Sequence, residues 1–276
     1  MAHVRPGVLR DRSALARLCR AAVGPDDYVL LYLDEMLRGR HVIVGEEAGR
    51  IVAMAGVTEC ADRALWIGQM RTHPGFRRRG YAKMLLEYAR TRAMRENRPA
   101  LRLWAGHRNI ASRTLFKAVG FREVAGFTRM AARALRREGP TLRLDHEGRR
   151  AYRLWRQALF CRAGHGYLAY QWHFLPLTRE MTRIMARKGE VLVGDEAAVL
   201  VWTEEGEPAA DAAILSGGRD GLLAARTAAA MRGRPRVEVF LPRHRTVQRW
   251  ARETGYAPAA WGGHAVLYER RVGGPR

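Results

Sequence analysis

From Val4 to Leu135 the apolar positions change period several times, and the changes lay out an alternation of strands and helices. Val4 to Leu9 reads as an opening strand. Ser13 to Ala22 carries helical spacing through Leu15, Leu18 and Cys19, with Asp11 near its start, until Gly24-Pro25-Asp26-Asp27 breaks it. Tyr28 to Leu37 repeats the period, with Val29, Leu30, Leu33, Met36 and Leu37 on one face. His41 to Gly45 and Arg50 to Thr58 read as strands across a turn at Glu46-Glu47-Ala48-Gly49, and Leu65 to Thr72 reads as a third. A helix follows with Ala82, Leu85, Leu86, Ala89 and Ala93 on its buried face. The strand-like run Leu101 to Trp104 comes next, then a helix from Ile110 to Val119 closed by Gly120, then the strand-like run Phe121 to Leu135.

The polar stretch from Arg136 to Arg150 reads as a linker, and what lies beyond it is a worn repeat of what lies before. Val42-Ile-Val-Gly-Glu-Glu-Ala48 is echoed by Val191-Leu-Val-Gly-Asp-Glu-Ala197. The segment His244 to Tyr256, behind the strand-like Val237 to Leu241, echoes Asn109 to Phe121, with Gly255-Tyr256 standing where Gly120-Phe121 stands. The expected organisation is an α/β (α+β) fold in two lobes, residues 1–138 and 151–276, with 139–150 between them.

Chemistry concentrates between the third strand and the helix after it. Met70-Arg-Thr-His-Pro-Gly-Phe-Arg-Arg-Arg-Gly-Tyr-Ala-Lys83 runs from a strand through a Pro-Gly turn and an Arg-rich loop into a helix. That helix has no Ser, Thr, Asp or Asn to cap it, so its first N–H groups need another acceptor, and a phosphate would serve. Gly80 lets the backbone approach a ligand, and Arg77, Arg78 and Arg79 add charge where the helix dipole is already positive. Taken alone, the same residues also read as a solvated basic turn.

Two motifs in order remove that ambiguity. Arg77-x-x-Gly80-x-Ala82 and the later series Asn109, Ser112, Phe116, Gly120, Phe121 resemble the pyrophosphate motif and the second motif of the GNAT family, the acyl-CoA-dependent N-acetyltransferases. The resemblance implies a central mixed, mostly antiparallel sheet flanked by helices, here a tandem GNAT with a degenerate C-terminal lobe. It implies acetyl-CoA as co-substrate and no metal. The backbone of Met70, Arg71 and Thr72 would hold the pantetheine arm. Arg77, Arg78, Arg79, Gly80, Tyr81, Ala82 and Lys83 would hold the pyrophosphate, with Asn109 and Phe116 beside the pantetheine and the sulfur.

The implied reaction is acyl transfer to a primary amine of a small molecule, amino acid or protein. Many members place a glutamate base and a tyrosine acid where this chain has Gly68, Trp104 and Phe116, so the nearest candidates for proton transfer are Gln69, His107 and Glu59. A non-catalytic acyl-CoA sensor or interaction module is the alternative. The second lobe has Gly217-Gly-Arg-Asp-Gly221 in place of the loop, and Asp220 there would repel a pyrophosphate. Tyr167 to Phe174 is expected to pack between lobes or to wall the acceptor pocket.

Composition adds bounds. With 276 residues, 47% of them hydrophobic, the chain can bury real cores. Cys19, Cys60 and Cys161 are too few and too scattered for a disulfide framework or a zinc site. No apolar run spans a bilayer and no signal-peptide core opens the chain, so a cytoplasmic protein without a membrane partner is expected. The net charge is +22, yet only three of the 49 basic residues are lysines and the arginines are spread throughout. That dispersion reads against a nucleic-acid partner and fits GC-rich codon usage, while the charge itself disfavours a polycationic acceptor. The sequence leaves the oligomeric state open.

Overall fold

The computed structural model describes residues 2–136, 139–259 and 263–273. The first repeat runs β1 (His3–Pro6), α1 (Arg12–Ala22), α2 (Val29–Arg38), β2 (Val42–Glu47), β3 (Arg50–Glu59), β4 (Leu65–Thr72), α3 (Tyr81–Arg95), β5 (Ala100–Gly106), α4 (Ile110–Ala118) and β6 (Arg122–Arg133). Then come β7 (Arg143–Leu144), α5 (Arg149–Gln157), α6 (Leu159–Ala163), β8 (Tyr167–Tyr170), β9 (His173–Pro176), α7 (Arg179–Arg187), β10 (Val191–Val193), β11 (Ala198–Thr203), β12 (Ala209–Ser216), α8 (Gly218–Met231), β13 (Arg236–Pro242), α9 (Arg245–Glu253), β14 (Ala257–Pro258) and β15 (His264–Arg271).

The chain forms two compact units that are not contiguous in sequence. The first gathers Met1–Trp104, Ala111–Arg122 and Tyr268–Arg276, and the second gathers Ala105–Ile110 and Glu123–Leu267. In the first unit the strands run β1-β2-β3-β4-β5, and beside β5 lies the Tyr268–Arg271 end of β15. Antiparallel pairing links β1 to β4, while β4 and β5 are parallel. The apolar stripes of α1 and α2 converge on β2 and β3: Leu15, Leu18, Cys19, Val29, Leu33 and Leu37 pack with Val42, Val44 and Met54. The last strand is bound by charge as well, since buried Arg102 donates to Glu269 at 2.8 Å and to Asp62 at 3.0 Å.

In the second unit the order is β6-β13-β12-β11-β10-β7, with β14 also on β6. β12 and β13 are parallel, as β4 and β5 are, and α8 packs on them as the matching helix. The stretch 139–150, expected as a linker, contains β7, which pairs Leu144 with Leu192 and Arg143 with Val193. Two residues are too short a run for periodicity to reveal. Tyr167 to Phe174 forms most of the β8–β9 hairpin, and Phe174 is fully buried with its ring 4.6 Å from that of Phe127.

Candidate active site

The register of β4 breaks in its middle. Met54 pairs with Arg71 and Gly56 with Gly68, so Gln69 and Met70 together face the single residue Ala55. Gln69 makes this bulge with φ at 47°, a conformation that costs a non-glycine residue about 1–2 kcal/mol. β4 parts from β5 ahead of the bulge, because among the described residues its pairs with β5 are Leu65 with Leu101 and Trp66 with Arg102. Among the described residues the edge through Met70, Arg71 and Thr72 therefore has no strand on its β5 side, and an extended ligand can bond there as a strand would.

The loop after β4 turns sharply into α3. Pro74–Phe76 form a 3-10 turn, Arg78 takes φ of 62°, and Gly80 takes φ of 87° as the residue ahead of α3. No side chain caps α3. Met84 donates to the Gly80 carbonyl at 3.0 Å, which leaves the N–H groups of Tyr81, Ala82 and Lys83 pointing out of the helix end. A Cβ built on Gly80 meets nothing within 4 Å, so there is space for a ligand against the backbone. Tyr81 offers only its backbone, as its ring is buried. Arg77 donates to the Ala22 carbonyl at 3.0 Å, Arg79 lies over Phe76 at 5.1 Å, and Arg78 is exposed.

On the α2 side of the bulge is a cavity of about 260 Å³ lined by Tyr28, Val29, Tyr32, Glu35, Met36, His41, Thr58 and Gln69. Two glycines make room for its polar side chains. A Cβ on Gly56 would lie 2.3 Å from Gln69 Oε1, and one on Gly39 would lie 2.6 Å from His41 Nε2. At the edge, Arg71 forms a two-pronged pair with fully buried Asp27, at 2.8 and 2.7 Å, and its guanidinium sits 5.5 Å from the Tyr28 ring. Burial acts to raise the Asp27 carboxyl, but Arg71 outweighs it and holds it below the usual carboxylate range.

Of the candidates for proton transfer, Gln69 lines this cavity. Glu59 lies at the far end of β3 and is paired with Arg98 at 2.6 Å. His107 and Asn109 fall in Ala105–Ile110, grouped with the second unit, where the His107 ring is 6.2 Å from that of His264. Phe116 is buried in the first unit, 5.5 Å from the Tyr268 ring and 6.2 Å from Phe121. Sequence reasoning missed His41, Tyr32 and Thr58. His41 sits between a helix and a strand in no motif, and its only signal was Gly39 two residues before it.

The corresponding loop of the second unit is closed by its own backbone. A Cβ on Gly217 would lie 2.8 Å from Ala197 Cα, and one on Gly221 would lie 2.0 Å from the Ser216 carbonyl oxygen. Among the described residues no metal-binding cluster is found, and no helix is long and apolar enough to cross a membrane.

Residues 13–121 match the acetyltransferase (GNAT) family. No curated protein matches the chain. Among solved structures the fold is shared with a GCN5-related N-acetyltransferase from Sphaerobacter thermophilus, at 19% identity and TM-score 0.64, over 98% of this chain and 96% of that one. A tandem GNAT protein from the clavulanic acid biosynthesis pathway aligns over 100% of both chains, at 14% identity and TM-score 0.58. A GCN5-related N-acetyltransferase from Kribbella flavida aligns over 98% of this chain and 71% of its own, at 11% identity and TM-score 0.56.

Proposed function

Because the chain belongs, through residues 13–121, to the acetyltransferase (GNAT) family, we propose that its first unit transfers an acyl group from acetyl-CoA to a primary amine. The observation that carries this reading is the uncapped start of α3 with open space over Gly80. The α3 N–H groups suit a pyrophosphate, and the β4 edge at Met70, Arg71 and Thr72 suits the amide-bearing arm behind it. Acetyl-CoA would supply the activated thioester.

The acceptor amine enters the cavity beside Gln69. At about 260 Å³ it falls below the roughly 300–1,000 Å³ of drug-sized pockets, which favours a molecule of amino-acid size. Its single carboxylate, Glu35, and the faces of Tyr28 and Tyr32 favour one ammonium group on an apolar body. Before attack the ammonium loses a proton, and His41, in the same cavity, is the imidazole placed to take it. Phe116 has no proton to give the departing thiolate. That loss is tolerable: acid–base help is worth about 10²–10⁴-fold, whereas positioning two reactants reaches effective molarities of about 10⁵–10⁸ M.

Calorimetric titration tests the coenzyme part. Acetyl-CoA is expected to bind the wild type, and Arg78→Glu/Arg79→Glu to bind at least tenfold more weakly. Equal affinity in the two proteins overturns the assignment of the loop.

A further inference from the structure

The first unit holds a second, larger cavity that the acyl-transfer reading does not use. It has a volume of about 430 Å³ and lies between one side of α1, from Ala14 to Ala21, the β2–β3 turn and His73 just after β4. Its cationic lining is Arg5, Arg10, Arg17 and Arg50. Two carboxylates also line it, Asp11 and Glu46, and both are taken by Arg5, at 2.6 and 2.8 Å. Arg10, Arg17 and Arg50 thus face the space with no lining carboxylate left for them.

The contacts of His73 add a further donor to this lining. Its Nδ1 accepts from the Gly75 N–H at 3.2 Å, so the proton of the neutral ring is on Nε2. That Nε2–H faces Arg50 Nη2, also a donor, at 3.3 Å. In that tautomer both nitrogens are donors, and among the described residues no acceptor stands between them. An oxyanion there would accept from both, and the guanidinium groups of Arg10 and Arg17 could reach its other oxygens, which suits the several acceptors of a phosphate better than the two of a carboxylate.

We propose that this cavity binds a phosphate-bearing small molecule at a site separate from the coenzyme loop. The site is linked to that loop through Phe76, whose ring lies 5.5 Å from the Arg50 guanidinium and 5.1 Å from that of Arg79. The inference does not depend on acyl transfer, since the donors converge whatever the loop binds.

Phenyl phosphate titrated into the full-length protein in a phosphate-free buffer tests it, with nitrogen-15 spectra of the histidine side chains recorded alongside. The expected results are saturable binding, a His73 ring protonated on Nε2 whose Nε2–H resonance moves on titration, and at least tenfold weaker binding by Arg17→Gln/Arg50→Gln. Both arginines are exposed, so that variant is expected to keep the wild-type melting temperature, and either single substitution serves as the check if it does not. Absence of binding, undiminished binding in the variant, or a His73 ring protonated on Nδ1 overturns the proposal. Complete displacement of phenyl phosphate by saturating coenzyme A also overturns it, because the anion would then be occupying the coenzyme's own path.

Discussion

Gly56 lacks a side chain where Gln69 needs the space, and replacing it shows what the bulge does. A Cβ in Gly56→Ala would lie 2.3 Å from Gln69 Oε1 and 3.0 Å from Met36 Cε, so the amide is displaced from the cavity. The expected outcome is an overpacking cost of about 1–3 kcal/mol, a turnover roughly tenfold lower, and unchanged affinity for acetyl-CoA. Thermal melts, steady-state rates and calorimetry separate the three effects. Unchanged turnover would remove Gln69 from the reaction. At Asp27, replacement by Ala leaves Arg71 with an uncompensated buried charge, which is expected to cost about 3–5 kcal/mol. Because Asp27 titrates below its unfolded value, its contribution is fully present above about pH 4 and is lost as acid takes the pH down through the folded value. Asp211 has the opposite sign. Burial, reinforced by Glu204 and Glu238, pushes its carboxyl up to about 7, so keeping it ionised above that pH costs stability. Asp211→Asn is expected to be more stable than the wild type at pH 8, by at most ~4 kcal/mol, with the advantage fading toward pH 4. Denaturant melts across that range check the sign. None of these residue-scale features was legible in the sequence. A positive φ at a glutamine and the shift of a buried aspartate depend on neighbours that only the fold brings together.

At the scale of elements the sequence was far more informative. An uncapped helix start after a glycine is a local feature, and the run Arg77 to Lys83 showed it before any packing was known. The elements from β1 through β6 also follow the expected order, the helices burying one face each while β2, β3 and β5 bury both. Short or strained pieces escaped: β7 is two residues long, and the bulge in β4 leaves no mark on the apolar pattern. Gly80 gives the clearest test at this scale. Gly80→Ala forces a Cβ into a position with φ of 87° but meets no protein atom within 4 Å, so its stability cost is limited to about 1–2 kcal/mol of backbone strain. The same Cβ projects into the open space that the proposed coenzyme site would use. The affinity for acetyl-CoA is therefore expected to fall more than the stability does, and comparable losses in both would show that the glycine serves only the turn.

For the whole molecule, the repeat was legible and the ownership of the last strand was not. Periodicity identifies a strand without naming its neighbour, and nothing in Tyr268–Arg271 says that it completes the first unit. There it supplies Glu269 to Arg102 at 2.8 Å, Arg270 to Glu87 at 2.9 Å, and the Tyr268 ring against Phe116. A fragment of residues 1–138, the lobe that the sequence alone suggests, is thus expected to fail as an independent folding unit, leaving Arg102 buried with one partner fewer. Cooperative melting and acetyl-CoA binding by that fragment would show the last strand to be dispensable. Catalytic transfer by the first unit is read out by acceptor-dependent release of coenzyme A thiol from acetyl-CoA. Across a panel of amino acids, small amines, polyamines and peptides, thiol release is expected with small monoamines carrying an apolar or aromatic body, reduced at least tenfold in His41→Ala. Saturable acetyl-CoA binding with no acceptor-dependent thiol release anywhere in the panel would contradict it, and would leave a protein that senses acyl-CoA without consuming it.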